Sequence, residues 1–318
     1  MITTVTLNAA IDKTYYMSSF PLGRVSRVQR MFAEPGGKGI NVARVIHQLG
    51  YPVTAAGFVG GHNGEWIRMA LAKQGIANDF VQIEGESRLC LNMIDEEKGT
   101  STEVLEGGPV IPREAMEQLA TAVKRLASRS RIVCFSGSLP QGVPADYYAE
   151  LIALVKKAGA LAFLDTSGAA LQNGAAASPY FIKPNEDEVL QLLGSQLELN
   201  LSHDAASLEH SLKAPMAALH DKGIAAVTVS LGSKGSVSSI DGGVFRAKAP
   251  KIEVVNTVGC GDAYVAGMAI GTARGLPVEE RIAYATAVGT ANALQEKAGY
   301  VSSADVERLF GEVMVERI

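Results

Sequence analysis

The chain predicts an α/β fold: a mostly parallel central sheet with helices on both faces. Three observations lead there. Short runs rich in β-branched residues alternate with amphipathic stretches about three to four turns long. Strands separated by helices of that length require right-handed crossovers, which make neighbouring strands parallel and place helices on both sides. The 318 residues, 47% hydrophobic and 19% charged, suffice to bury a large core and contain no long polar or proline-rich tract.

The first buried strand is Ile2–Leu7. Residues 11–33 then carry two alternating runs, Lys13–Met17 and Val25–Phe32, with no helix between them, and read as a hairpin. Helices are expected at 38–49 and 63–74, on either side of a strand at Val53–Val59. A second hairpin pairs Leu89–Ile94 with Thr100–Leu105 through the turn Asp95-Glu96-Glu97-Lys98-Gly99. Strands follow at Arg131–Phe135, Ala160–Leu164, Tyr180–Ile182 and Ala226–Ser230, with helices at 112–128, 145–158, 185–194 and 204–222. From about residue 260 the chain reads as helical, over 260–275, 277–296 and 303–315, with Pro277 at a first-turn position. No repeat or linker interrupts the pattern, so residues 1–318 are expected to form a single domain. The hairpins at about 11–33 and 88–105 either combine into one small β-sheet lid or stand as unrelated surface hairpins.

Charge and cysteine usage narrow the function classes. The net charge is −4 and the basic residues are scattered, so no basic face for nucleic acid is expected. Nowhere do 18 apolar residues run together, so no membrane span is expected. The opening residues lack a basic stretch before an apolar core, so no secretory leader is expected either. Cys90, Cys134 and Cys260 are odd in number and widely spaced, which fits reduced thiols in a cytoplasmic protein. Asn200-Leu201-Ser202 matches a glycosylation sequon, which in such a chain reads as coincidence.

Two glycine-rich runs carry the chemistry. In NTVGCGDAYVAG (256–267), Gly259 and Gly261 bracket Cys260, and Asp262 opens a helical run. Glycines at that junction let backbone N–H groups converge at a helix N-terminus, where the macrodipole also favours an anion. A phosphoryl group in transfer spreads negative charge over its oxygens and suits such a cradle. A carboxylate at Asp262 can take the proton of an attacking hydroxyl. Judged alone, Asp262 is better explained as a helix N-cap. The second run, PGGKGINVAR (35–44), is not a Walker A loop, because Phe32 and Gly39 stand where that motif needs Gly and Ser or Thr. Its glycines permit close approach to a ligand, with Lys38 and Asn41 supplying a cation and an amide. A tight turn with a surface lysine is the alternative.

Together, in this order and near opposite ends of the chain, the two runs resemble the paired signatures of the PfkB (ribokinase-like) family of carbohydrate kinases. TLNAAID (6–12), GFVGG (57–61), SGSLPQG (136–142), DTSG (165–168), IKPNEDEV (182–189) and VSLGSKGS (229–236) extend the resemblance over essentially the whole chain. It implies a ribokinase-like three-layer α/β/α fold with a β lid, and ATP-dependent phosphorylation of a sugar with Mg²⁺. It implies Asp262 as the base and Gly259, Cys260 and Gly261 as the anion hole; family members usually begin this motif with Asp-Thr and carry Ala or Ser at the Cys260 position. That cysteine makes the loop a candidate for thiol-modifying inhibition. Glu188 is implied for Mg²⁺, and Lys183, Asn185, Ser230, Gly232, Lys234, Gly235 and Asn292 for the nucleotide. Asp12, Gly37, Lys38 and Asn41 are implied for the sugar, with Arg27 and Arg88 for a phosphate already on it. For Arg27 a solvated strand position is the alternative.

The resemblance is to the phosphohexose branch. Ser87-Arg88-Leu89-Cys90-Leu91-Asn92 and Thr102-Glu103-Val104-Leu105-Glu106, with ANALQEKAGYV (291–301), look more like tagatose-6-phosphate kinases than 1-phosphofructokinases. The implied substrate is tagatose 6-phosphate, with fructose 1-phosphate the alternative. A non-catalytic sugar-phosphate sensor would need a broken base or anion hole, and both motifs are intact. A dinucleotide-binding oxidoreductase would need G-x-G-x-x-G after the first strand, where Leu7-Asn8-Ala9-Ala10 stands instead. A lid sheet with an exposed face can pair with a second copy, so a homodimer through the lid is a further expectation.

Overall fold

Apolar periodicity explains most of the elements. The computed structural model describes residues 1–193 and 205–318. The sequon at Asn200 and the junction of the helices expected around 194 and 204 lie outside the described residues. Strand β1 (Ile2–Thr6) leads into β2 (Ala10–Met17) and β3 (Arg30–Gly36), followed by α1 (Lys38–Gln48), β4 (Val53–Gly60), α2 (Gly61–Lys73) and β5 (Ala77–Ile83). Strands β6 (Arg88–Asp95) and β7 (Thr100–Leu105) form the second hairpin, and then come α3 (Arg113–Ala127), β8 (Ile132–Ser136), α4 (Tyr147–Lys157), β9 (Leu161–Asp165), α5 (Gly168–Ala176) and β10 (Phe181–Ile182). The remaining elements are α6 (Glu186–Leu193), α7 (Ala205–Asp221), β11 (Ala226–Ser230), β12 (Ser236–Ile240), β13 (Gly243–Lys248), α8 (Cys260–Arg274), α9 (Val278–Asn292), α10 (Ser303–Phe310) and β14 (Met314–Arg317).

Ten strands make the main sheet, in the order β14-β13-β12-β11-β10-β9-β8-β1-β4-β5. All pairings from β11 to β5 are parallel, while β12, β13 and β14 extend it antiparallel. Alternation along the parallel strands divides the core in two. Ile132 and Cys134 of β8 face one apolar layer, and Val133 and Phe135 face the other. Helices α1, α2, α8, α9 and α10 supply the first layer, and α3, α4, α5, α6 and α7 the second. In α3, Ala115, Leu119, Ala122, Val123 and Leu126 recur at helical spacing and are all buried. Each fully buried side chain of leucine size contributes about 1.5–3 kcal/mol.

The two hairpins do form one lid sheet, in the order β3-β2-β6-β7. Its centre is a parallel pairing of β2 with β6, Asp12 opposite Cys90. Three expectations need correction. Strand pairing in the first hairpin begins at Arg30 rather than Val25, which leaves Arg27 in the connector. The last helix ends at Phe310, and the chain closes as β14 on the sheet edge, where Val315 packs against the first apolar layer. Pro277 caps α9 from just outside its first turn.

Candidate active site

The strand order reverses at β1, which has β4 on one side and β8 on the other. Ligands of open α/β sheets bind beyond the carboxyl ends of strands at such a point. Here a cavity of about 480 Å³ opens beneath the lid, lined from the ends of β1, β8, β9 and β10 by Asn8, Ser138, Asp165 and Lys183. Thr6 Oγ1 and Asn8 Oδ1, both on residues of this lining, are buried without a hydrogen-bond partner among the described residues. Buried polar atoms are rarely left unpaired, so this wall has acceptor capacity to offer a polar ligand.

Asp262 forms the floor. The turn before it needs Gly259, which takes φ +84° as the left-handed N-cap of α8. Gly261 and Asp262 stand in the first turn of α8, where N–H groups lack intrahelical acceptors and can receive an anion. The carboxylate is 6% exposed and accepts a hydrogen bond from Asn41 Nδ2 at 2.9 Å. Burial pushes its pKa up to about 6, and Asp165 adds to the rise; Lys38, Asn41 and Lys183 oppose it. A carboxylate poised there is ionised at neutral pH yet basic enough to take a proton.

Asp165 has a role that sequence reasoning missed, although its motif was noted. It is 3% exposed and lies between two ammonium groups, Lys183 Nζ at 3.4 Å from Oδ1 and Lys38 Nζ at 3.7 Å from Oδ2. Burial alone would raise its pKa, but the two lysines outweigh it and hold the carboxyl below the usual range. In return, Asp165 raises the pKa of Lys38. The result is a pair of fixed positive charges beside the glycine turn before α8.

On the lid side, a Cβ at position 36 would overlap the Asp12 carboxylate, so only glycine lets β3 pass this close. Burial raises the Asp12 pKa, against the pull of Arg44 and Arg88 and of hydrogen bonds from Gly37 N–H and the Cys90 thiol. Arg88 is anchored at the cavity edge through Asn8 O and Glu106 O, both at 3.2 Å.

Comparison with known proteins decides the family. The pfkB family carbohydrate kinase pattern matches residues 5–305. The chain belongs to the pfkB family of carbohydrate kinases. It is 35% identical to a tagatose-6-phosphate kinase of Staphylococcus epidermidis, over 99% of both chains. It superposes on phosphofructokinase-2 from Escherichia coli with a TM-score of 0.89 at 27% identity, covering 98% of each chain. A possible 1-phosphofructokinase from Thermotoga maritima matches with a TM-score of 0.85 at 28% identity, covering 100% of this chain and 99% of that one. The fold is the ribokinase-like α/β/α sandwich with its β lid, and the chain is an ATP-dependent phosphosugar kinase.

Within this pfkB kinase all but three of the expected residues fall into three groups. Asp12, Gly37, Lys38, Asn41, Arg88, Lys183, Gly259, Gly261 and Asp262 all meet at the cavity. Ser230 ends β11, and Gly232, Lys234 and Gly235 form the turn after it, joined to the Lys183 side by the Asn185–Ser230 bridge but outside the cavity lining. Asn185 and Glu188 form a reciprocal capping box: Glu188 Oε2 accepts from Asn185 N at 2.9 Å, and Asn185 Oδ1 from Glu188 N at 2.8 Å.

Three residues depart from their expected places. Arg27 does not line the cavity. Asn292 is fully buried; its amide donates to Val258 O at 2.9 Å and accepts from Gly299 N–H at 2.8 Å, bracing the glycine turn before α8 from behind. The Cys260 thiol also lies outside the lining, where burial raises its pKa, a poor setting for thiol reagents. Among the described residues no helix is long and apolar enough to cross a membrane.

Proposed function

We propose that this kinase transfers the γ-phosphoryl group of ATP to the free primary hydroxyl of tagatose 6-phosphate, giving the 1,6-bisphosphate. The observation that carries the chemistry is the buried Asp262 carboxylate, poised near pH 6 at the glycine-rich start of α8 and held by Asn41. In this reading Asp262 takes the hydroxyl proton as the oxygen attacks. The free N–H groups of the α8 start and the ammonium groups of Lys38 and Lys183 steady the charge on the transferring group. Arg88 and Asp12 hold the sugar phosphate and its hydroxyls.

The donor set fits Mg²⁺ as a companion of the nucleotide rather than as a resident ion. No group of three or more metal-ligating side chains occurs among the described residues, and Mg²⁺ commonly takes one or two carboxylates plus phosphate oxygens. Glu188 commits Oε2 to its cap and has Oε1 to offer. When bound, the ion neutralises charge on the phosphate oxygens.

Support for tagatose 6-phosphate comes from the Staphylococcus epidermidis relative and from the second lid hairpin, where Cys90, Asn92, Glu103 and Leu105 all line the cavity. Fructose 1-phosphate is the second reading, favoured by the Thermotoga maritima neighbour. An ADP-release assay that compares tagatose 6-phosphate, fructose 1-phosphate and fructose 6-phosphate by kcat/KM tests the choice. We expect tagatose 6-phosphate to lead; a lead of about tenfold or more for either fructose phosphate overturns the assignment. We also propose that the lid sheet pairs with that of a second copy, since the β7 residues are all exposed, Val104 to 50%. The Escherichia coli neighbour has itself been solved in a tetrameric inhibited form.

A further inference from the structure

The transfer chemistry makes no use of Arg44, yet this charged side chain is buried to 1% exposure in α1. Burying a guanidinium carries a desolvation cost of several kcal/mol, and an apolar side chain of similar volume would fill the space without it. Burial also lowers the Arg44 pKa. Its hydrogen bonds go to neutral acceptors: Pro35 O, Asn41 Oδ1 at 3.0 Å, Ala298 O at 3.3 Å and Gln74 Oε1 at 3.3 Å.

The bond to Asn41 is the informative one. An asparagine amide can sit in two orientations related by a flip, and only one turns its NH₂ toward Asp262. The flipped amide would set its oxygen against the Asp262 carboxylate. A guanidinium only donates, so with Arg44 behind it Asn41 must present Oδ1 to Arg44 and Nδ2 to Asp262. The same guanidinium holds the loop at Ala298. Gly299, next in that loop, packs so closely on Asn41 that a Cβ there would lie 3.0 Å from the Asn41 Cα. Gly299 N–H in turn donates to Asn292, which braces Val258 in the glycine turn before α8.

We propose that Arg44 is a positioning residue for phosphoryl transfer: it fixes the Asn41 amide in the orientation that donates to Asp262 and ties it to the loop backing the glycine turn before α8. The inference rests on Asp262 as the base. The other charged groups acting on Asp262 are Lys38 from α1, Asp165 from β9 and Lys183 after β10; those acting on Arg44 besides Asp262 are Tyr300, Glu34 and Asp12. All of them stay in place in the test below.

Arg44→Lys keeps the positive charge and removes the fork. Its kcat is expected to fall about tenfold or more, with the KM for ATP within about twofold of wild type and the acid limb of kcat moved to higher pH. In an Asn41→Ala background the same substitution is expected to cost less than about twofold, because the amide through which it acts is gone. Wild-type kcat and pH profile in Arg44→Lys, or an equal loss in both backgrounds, overturns the inference. Should Arg44→Lys not fold, ¹⁵N spectra of the wild-type protein decide. Distinct, slowly exchanging Arg44 Nη protons that shift as Asp262 titrates are expected; averaged resonances blind to that titration overturn it. Asp262→Asn separates the two ideas. If it is inactive while Arg44→Lys matches wild type, only the role of Arg44 falls; if it retains turnover, the base assignment falls.

Discussion

At the scale of single residues, the site sets buried charges against one another. As the proposed base, Asp262 must be ionised to take a proton, so kcat should rise with pH through about 6 and level off above it. Asp165 contributes to that midpoint with the opposite sign from the lysines it holds. Its negative charge disfavours ionisation of Asp262, while Lys38 and Lys183 favour it. Asp165→Asn should therefore move the acid limb of kcat to lower pH, even as kcat falls because the two ammonium groups lose their anchor. A pH–rate profile checks this, and a limb that stays put or moves to higher pH refutes it.

At the scale of elements, the lid sheet carries the clearest prediction. Its outer strand exposes Val104 to 50%, and β3 exposes Met31 to 52%, an apolar surface with no cover in a single copy. Sedimentation should find the wild-type chain as a dimer and Val104→Lys as a monomer with unchanged circular dichroism. A monomeric wild type at every concentration ends the proposal. The lid was legible in the sequence as two hairpins, because alternation with period two survives local reading. Their union was not, since the parallel pairing of β2 with β6 joins segments far apart in the chain. The antiparallel edge was missed for a different reason. Ser236–Ile240 is mostly serine, Gly243–Lys248 is short and carries two basic residues, and neither stands out as a strand; Met314–Arg317 follows a helix without a proline to announce its end. In the site, glycines and charged residues within motifs were legible. Arg44 and Asp165 were not given roles, because what marks them is burial, which the sequence does not display.

At the scale of the molecule, activity and stability oppose each other at Asp262. Its carboxyl is raised from 3.8 to about 6, so between those values the folded protein holds a proton that the unfolded chain has lost. Folding stability therefore declines as pH rises through that interval. A pKa difference of this size corresponds to about 3 kcal/mol at neutral pH. Asp262→Asn, which carries no charge to bury, should unfold at higher urea than wild type at pH 7.5 while lacking turnover, and the gain should vanish by about pH 4. Equal midpoints for the two proteins at pH 7.5 count against it.

The place of β1 between β4 and β8 has a consequence for the chain as it is made. β4 follows soon after β1, but β8 begins only at Ile132, and α8 with Asp262 later still. Until β8 emerges from the ribosome, one edge of β1 presents unpaired N–H and C=O groups beside buried-type residues such as Val5. The nascent half-sheet is thus exposed to wrong partners for the time that α2, β5, the second lid hairpin and α3 take to be translated. In the proposed mechanism the base lies on α8, so no fragment ending before α8 is expected to turn over substrate.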